Sequence, residues 1–198
     1  MGRPRVHDDT TRAALLSAAG RIVAEEGPAA LSLRRLAETV GASTQAIYTL
    51  FGAKDGLIRA MHREGFATLD RHLAGVAPDD DPAAHLRALA LAYRDSALAQ
   101  PHLYDVMFGC PFPEFVPSDD DQELAIGTLE RLRAALHQHA RAGALAGRDP
   151  DRLTLQIWAL AHGLASLELK GALGDAEAAE AIWTEAVDAM LVGLSRAS

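Results

Sequence analysis

The sequence predicts an all-α fold in which a short N-terminal helical domain is followed by a longer C-terminal helical domain. The apolar residues are mostly Ala and Leu, with few β-branched residues, a composition that favours helices over strands. These apolar residues recur at helical spacing along the whole chain. Glycine, proline and capping residues then divide the chain into segments of helix length.

Capping residues predict where each helix begins and ends. The first helix is expected to begin near Asp9–Thr10 and to stop at Gly27–Pro28. Ser32 is expected to begin a short helix through Val40, with Leu33, Leu36, Ala37 and Val40 on its inner face. Five later helices are expected to begin at a residue whose side chain can accept a hydrogen bond from the first turn: Ser43, Asp81, Ser118, Asp149 and Asp175. Ser118 is expected to form a capping box with Asp121.

One long helix is predicted to connect the two domains. It runs from 54 to 73, and twenty residues at about 1.5 Å each make a rod of about 30 Å. The Pro- and Asp-rich loop at 77–82 marks the clearest break after it. We therefore expect a helix-turn-helix domain at 1–55 and a ligand-binding and dimerisation domain at 56–198.

Charge is distributed unequally between the two ends of the chain. The net charge is −8, but residues 1–63 carry nine Lys and Arg against six acids, a net +3, which leaves −11 for the remainder. A basic N-terminal end on an acidic body suggests that only this end meets phosphate. The single cysteine excludes an intramolecular disulfide, and no signal peptide or membrane span is recognisable. The expectation is a cytoplasmic protein without a membrane partner.

Segment 32–51 has the pattern of a DNA-binding helix-turn-helix. Ala37 is small where the two helices approach, Gly41 permits a sharp turn, and Ile47 anchors the second helix. A recognition helix presents its N-terminal residues to base edges in the major groove. We expect the outward-facing residues to be Thr44, Gln45, Ala46, Tyr48 and Thr49.

Segment 11–58 resembles the DNA-binding domain of the TetR family. The residues that carry the resemblance are Leu36, Ala37, Gly41, Ile47, Tyr48, Phe51, Lys54 and Leu57. The sequence departs from the family pattern at Gly52 and Ala53, where a charged or polar residue is common. The resemblance implies double-stranded operator DNA as the partner, with Thr44, Gln45 and Ala46 facing bases. It also implies phosphate contacts from Ser32, Arg34, Tyr48 and Lys54, with Thr49 beside Tyr48, while Arg3 and Arg5 form an arm that reaches phosphates or the minor groove.

The C-terminal half resembles the family at fewer positions. Trp158, His162 and Gly163 are similar to the Trp–His–Gly signature of one C-terminal subgroup of TetR regulators. Aromatic residues concentrate in the segments expected to surround the interior, which favours an apolar pocket with a few polar groups. Ordinary core packing is the alternative for any single one of them. The predicted pocket consists of Tyr93, His102, Tyr104, Met107, Phe108, Phe112, Phe115, Leu129, Trp158 and His162, with the proline-rich segment 109–117 as a lid.

The last two predicted helices carry more apolar residues than a helix needs to bury one face against its own protomer. Two such helices from each protomer can form a four-helix interface in a homodimer. The alternative is that these residues close the core of the protomer itself. The predicted interface consists of Leu164, Leu167, Trp183, Val187, Met190, Leu191 and Leu194.

Enzyme signatures are weak throughout the sequence. No phosphate-binding glycine loop, nucleophile elbow or zinc signature occurs, so we expect no catalytic residues, no metal and no cofactor. The prediction is a ligand-responsive transcription regulator: a repressor released from a palindromic operator by a small, largely apolar effector. Two alternatives stay open, a regulator without a small-molecule effector and a helical-bundle enzyme.

Overall fold

Helices joined by short turns form the chain in the computed structural model, which describes the backbone of residues 5–145 and 147–195 and the side chains of 12–145 and 147–193. The helices are α1 (Arg5–Glu26), α2 (Leu33–Val40), α3 (Thr44–Phe51), α4 (Lys54–Ala74), α5 (Pro82–Ala99), α6 (Pro101–Phe108), α7 (Asp119–Arg141), α8 (Pro150–Leu169) and α9 (Ala176–Ser195), with a short 3-10 turn at Pro28–Ala30. The described residues contain no strand, which confirms the all-α prediction. None of the described helices is long and apolar enough to cross a membrane.

The helices begin where the capping residues predicted. The Ser32 hydroxyl accepts a hydrogen bond from the Arg35 amide at 3.1 Å, and the Asp149 carboxylate accepts one from the Asp151 amide at 2.9 Å. Equivalent bonds satisfy the first turns at Ser43, Asp81 and Asp175. Because a cap satisfies backbone N–H groups that have no partner within the helix, it is a local signal that sequence alone can reveal.

Two details of the first helices differ from the sequence prediction. The helix α1 begins at Arg5, about one turn before the predicted start near Asp9–Thr10. Val40, which was expected on the inner face of α2, is 37% exposed. Val40 is the last residue of α2, and the chain turns away at Gly41, so the Val40 side chain does not reach the core.

Internal contacts divide the chain into two units, which we call the first unit (Met1–Ala67 and Gln100–Leu124) and the second unit (Thr68–Ala99 and Ala125–Ser198). The core of the first unit joins α1, α2, α3, α6 and the start of α4. Its most deeply buried side chains are Leu16, Leu31, Leu36, Ile47, Leu57, Ile58, Met61 and Leu103. The helix-turn-helix segment therefore shares one core with α6.

The second unit buries several residues that were predicted to contact a partner subunit. Leu164, Trp183, Val187 and Leu191 are each at most 9% exposed within one protomer. The Trp183 indole donates a hydrogen bond from Nε1 to Glu168 at 2.6 Å, and Glu168 also pairs with Arg94. These four residues belong to the protomer core, which corrects the predicted interface.

The other predicted interface residues remain open. Leu167 is 46% exposed and Met190 is half-buried. The side chain of Leu194 lies outside the described residues. Exposed leucine, isoleucine and valine side chains on α8 and α9 are Leu155, Leu167, Ile182 and Val192.

A buried histidine pair in the second unit predicts a pH-dependent stability. Nδ1 of His85 lies 3.1 Å from Nε2 of His139, and both rings are buried. Burial, and then the neighbouring His85, lower the pKa of His139 from its usual value of 6.5, against the opposing carboxylates at 79–81. A histidine with a lowered pKa in the folded state binds fewer protons there than in the unfolded chain. The free energy of unfolding is therefore expected to fall as the pH drops below about 6.5.

The variant His139→Gln tests this expectation. Gln retains groups that can hydrogen-bond to His85 but does not titrate, so urea unfolding of the variant between pH 7.5 and pH 5 should depend less on pH than that of the wild-type protein. Equal pH dependence in the two proteins would show that His139 does not contribute.

Candidate functional site

The turn between α2 and α3 has the geometry of a helix-turn-helix. Gly41 follows α2 with φ of +67°, a conformation that glycine adopts without strain. Ser43 then caps α3, and its hydroxyl accepts a hydrogen bond from the amide of Ala46 at 3.1 Å. Ala37 and Ile47 are both buried in the core of the first unit.

The helix α3 presents a continuous exposed face. Its buried residues are Ile47 and Phe51, which hold it against the core of the first unit. The exposed residues are Thr44, Gln45, Ala46, Tyr48 and Thr49, which are the five that the helical spacing predicted to face outward. The side chain of Tyr48 is 51% exposed, which is unusual for an aromatic residue. This face has the side chains and the accessibility that base and phosphate contacts require.

The start of α2 carries exposed charged and polar side chains. Arg34 pairs with Glu38 at 3.0 Å, and Arg35 pairs with Glu26 at 2.8 Å. These pairs are exposed, and such pairs contribute little in water, so phosphate can displace their acidic partners. Ser32 is also exposed at the start of α2. The predicted contacts Arg3 and Arg5 lie outside the residues whose side chains are described.

Lys54 is at the first position of α4, as predicted, but its side chain is only partly free. Its ammonium group lies 3.4 Å from the carbonyl oxygen of Pro28 and 5.6 Å from the centroid of the Phe112 ring. A lysine over an aromatic face is attracted by the ring's negative π-surface. The predicted phosphate contact is therefore also a contact of the loop that follows α6.

A cavity of about 140 Å³ lies in the first unit beneath this loop, which spans residues 109–117 and is called the proline loop below. The lining residues are His62, Val106, Met107, Cys110, Pro111, Phe112, Pro113, Phe115 and Pro117. Met107, Phe112 and Phe115 belong to the predicted pocket. The helices α4 and α6 approach closely beside the cavity, because a Cβ on Gly65 would overlap the Met107 sulfur.

The rest of the predicted pocket occurs as separate local groups in the two units. In the first unit, the rings of Tyr104 and Phe108 contact each other at a tilt, with centroids 4.9 Å apart, and His102 packs against α1 at Gly20. These three residues are not among those that line the cavity.

In the second unit, the Tyr93 hydroxyl lies 3.2 Å from Nδ1 of His162, and the ring of His162 is 5.6 Å from that of Trp158. Burial lowers the pKa of His162. Leu129 is half-buried in the same unit.

His62 lines the cavity but is not among the residues that the sequence predicted for a pocket. It is 6% exposed, and its Nδ1 has no hydrogen-bond partner among the described residues. Its ring packs against Phe66 and Phe115, with centroids 4.9 and 5.4 Å away. A signal was present in the sequence, because His62 follows Ile58 and precedes Phe66 at four-residue intervals on the buried face of α4.

A buried carboxylate joins α4 to the start of α7 within the first unit. Asp121 is fully buried and pairs with both Arg59 and Arg63 of α4, the latter at 2.5 Å. It also accepts hydrogen bonds from the amide of Ser118 at 2.8 Å and from its hydroxyl at 2.9 Å. The sequence predicted the capping box formed by Ser118 and Asp121, but not the two arginines.

Family models match both ends of the chain. A model described as bacterial regulatory proteins, tetR family, matches residues 15–61. A second model, described as a tetracyclin repressor-like C-terminal domain, matches residues 86–190. The first covers α2, α3 and the exposed face described above, and the second includes the Trp158–His162 pair. Among curated proteins no significant match was found.

Solved structures resemble the chain over nearly its full length. A protein of unknown function from Rhodococcus sp. RHA1 is 29% identical, with a TM-score of 0.74, over 93% of this chain and 95% of its own. The TetR-family regulator PfmR from Thermus thermophilus is 22% identical, with a TM-score of 0.75, over 92% and 99%. A TetR variant from Acinetobacter baumannii AYE, solved in complex with minocycline, is 20% identical, with a TM-score of 0.60, over 92% and 94%. At their lower identities, the last two show a common fold.

Proposed function

Since this chain is a DNA-binding transcription regulator of the tetR family, we propose that it represses transcription as a homodimer and is released from its operator by a small, largely apolar molecule. DNA binding is assigned to residues 1–55, and effector binding and dimerisation to residues 56–198. The observation that carries the proposal is the exposed face of α3, which nothing in the protomer covers among the described residues.

The side chains on this face suit sequence-specific recognition. Gln45 can make a paired donor and acceptor contact with adenine, and the methyl groups of Thr44 and Ala46 can touch a thymine methyl. Tyr48, Lys54, Ser32 and Arg34 are assigned to phosphates, which set the register but do not read sequence. A two-fold dimer presents two such helices, so the operator is expected to be palindromic.

Selection of bound DNA from a random pool, followed by footprinting, tests the proposed function. The expected site is a palindrome whose two halves are protected symmetrically. A monomer bound to one asymmetric half-site would overturn the proposal.

The exchanges Gln45→Ala and Lys54→Ala are expected to weaken DNA binding in different ways. Loss of the Gln45 amide should cost about 1–3 kcal/mol on the preferred operator and relax base preference at one position of each half-site. Loss of the Lys54 charge should weaken all sequences alike and reduce the salt dependence by about one counterion per protomer. Equilibrium binding to a set of single-base operator variants at several salt concentrations measures both effects.

Gln122→Ala provides the control for these two variants, because Gln122 is an exposed glutamine of the first unit on α7. It should bind all operators as the wild-type protein does. If Gln45→Ala and Lys54→Ala behaved alike on every operator, the assignment of base and phosphate contacts would be wrong.

Two features support the effector and the dimer. The cavity beneath the proline loop is lined mainly by apolar side chains, as small-molecule sites usually are, and one TetR variant of the same fold was solved with minocycline. The exposed apolar side chains of α8 and α9 leave a surface that a second copy would cover. A typical coupling between effector and DNA of about 1–3 kcal/mol corresponds to about 5- to 150-fold weaker operator binding.

A further inference from the structure

We propose that Gly52 and Gly56 are positioning residues for DNA binding, because together they fix the spacing between the recognition helix α3 and Lys54 at the start of α4. The inference rests on the proposed function for the roles of α3 and Lys54 on DNA. Two observations carry it: the conformation of the turn at Gly52 and the close approach of a backbone carbonyl group to Gly56.

The chain passes from α3 to α4 through a tight turn at Gly52. Gly52 has φ of +71° and ψ of −72°, and the amide of Ala53 donates a hydrogen bond to the carbonyl oxygen of Phe51 at 2.9 Å. This hydrogen bond and these angles define the γ-turn with positive φ, which is rare because it is strained. Glycine, which has no Cβ, tolerates positive φ. Only two residues therefore separate the end of α3 from Lys54.

The carbonyl group of Phe51 lies against Gly56 in the first turn of α4. A Cβ on Gly56 would overlap the carbonyl oxygen and would lie 3.1 Å from the carbonyl carbon. Because the overlap is with backbone atoms, no rotation of a side chain relieves it. The backbone at the end of α3 thus occupies the space that a side chain would fill at position 56.

Buried side chains hold the two helix ends on either side of the turn. These side chains are Ile47 and Phe51 of α3 and Leu57 and Ile58 of α4, which all belong to the core of the first unit. Protein cores are closely packed, so a displacement of either helix end would disturb this core. The γ-turn and the packing therefore act on the same spacing, and a side chain at position 56 would force one helix end to move.

The spacing matters for DNA because the two helices are assigned different contacts. Under the proposed function, residues of α3 face bases and Lys54 contacts a phosphate. Phosphate contacts set the register in which a recognition helix meets the base edges, so the two kinds of contact must form together. A displacement of about 1 Å at this junction is enough to weaken one of them.

Gly56→Ala tests the close approach through stability. Alanine inside a helix is normally more stable than glycine, which loses more conformational freedom on folding. We expect the opposite here, so the urea midpoint of Gly56→Ala should fall below that of the wild-type protein. Gly127→Ala is the matched control, because Gly127 is also inside a helix, α7, and a Cβ there would meet nothing within 4 Å. The midpoint of the control should rise.

Operator titration of the same variants, in buffer in which each is folded, tests positioning. Gly56→Ala should bind the operator about tenfold more weakly, the effect of losing one contact, and Gly127→Ala should bind as the wild-type protein does. In the Lys54→Ala background the Gly56→Ala exchange should cost less than about threefold, because the contact that it displaces is already absent. A general structural defect would instead weaken binding by the same factor in both backgrounds.

Insertion of one glycine between Gly52 and Ala53 tests the spacing without a side chain at position 56. Both residues are exposed, and exposed turns tolerate insertions. One more residue adds up to about 3.3 Å of chain, which removes the need for the γ-turn and frees the spacing. The lengthened protein should fold and should bind the operator at least about tenfold more weakly.

A urea midpoint of Gly56→Ala at or above that of the wild-type protein would overturn the close approach. Equal losses of operator affinity in the wild-type and Lys54→Ala backgrounds would overturn the positioning role. Wild-type operator affinity in the lengthened protein, or its failure to fold, would overturn that role as well. Failure of the wild-type protein to bind any specific operator would instead refute the proposed function, and the urea midpoints would still report on the junction.

Discussion

Replacing Leu167 and Ile182 together with glutamate is expected to convert the proposed dimer into monomers and to weaken operator binding at least about 100-fold. Leu167 on α8 is 46% exposed, and Ile182 on α9 is 37% exposed. Charge at these positions would have to be desolvated in a helix–helix interface, which is costly. A monomer contacts only one half-site. It therefore loses the gain in operator affinity that comes from linking two recognition helices in one dimer. Sedimentation velocity and operator titration measure the two effects.

A control variant separates this interface from a general effect of surface charge. Leu98→Glu alters a leucine of the second unit that is 43% exposed but lies on α5. It should remain dimeric and bind the operator with wild-type affinity. An undisturbed dimer in the Leu167→Glu, Ile182→Glu double variant would place the interface elsewhere on the protein.

Replacing Asp121 with asparagine is expected to lower the free energy of unfolding by about 3 kcal/mol. Removing one partner of a buried ion pair typically costs about 3–5 kcal/mol, and here both arginines are partly exposed and can turn toward water, which reduces the loss. Asparagine keeps one oxygen that can accept the hydrogen bond from the Ser118 amide, so the cap of α7 survives. Its NH2 group replaces the oxygen that accepts from Arg63, so the variant removes the charge together with that hydrogen bond. Denaturant unfolding followed by circular dichroism gives the value.

Asp120→Asn is the control for Asp121→Asn. Its carboxylate is 85% exposed and lies 3.9 Å from Arg63, so water already screens the interaction. The control should change the free energy of unfolding by less than about 0.5 kcal/mol. A similar small loss in Asp121→Asn would show that the buried carboxylate contributes little to the join between α4 and α7.

Much of the candidate DNA surface was predictable from sequence because its signals are local. Gly41 and Ser43 mark the turn and the start of α3, and the spacing of Ile47 and Phe51 determines which residues of α3 remain exposed. The cavity was less predictable. The proline loop was expected to cover a pocket, and it does line one, but only Met107, Phe112 and Phe115 of the ten predicted residues line the cavity of the first unit. An aromatic residue at a buried position has the same sequence pattern whether it lines a cavity or fills a core.

By itself, the sequence determined the helical class, the start of nearly every helix and the outward face of α3, because caps, turns and helical periodicity depend on residues a few positions apart. Only the tertiary structure decided that Trp183 closes the core of the protomer, that Lys54 lies over Phe112, and that His62 lines the cavity. Apolar residues on the last helix can be buried in their own protomer or in a partner, and periodicity is the same for both. The contacts of Lys54 and His62 join residues about 50 positions apart, which is a property of the packing of α4 against the loop after α6.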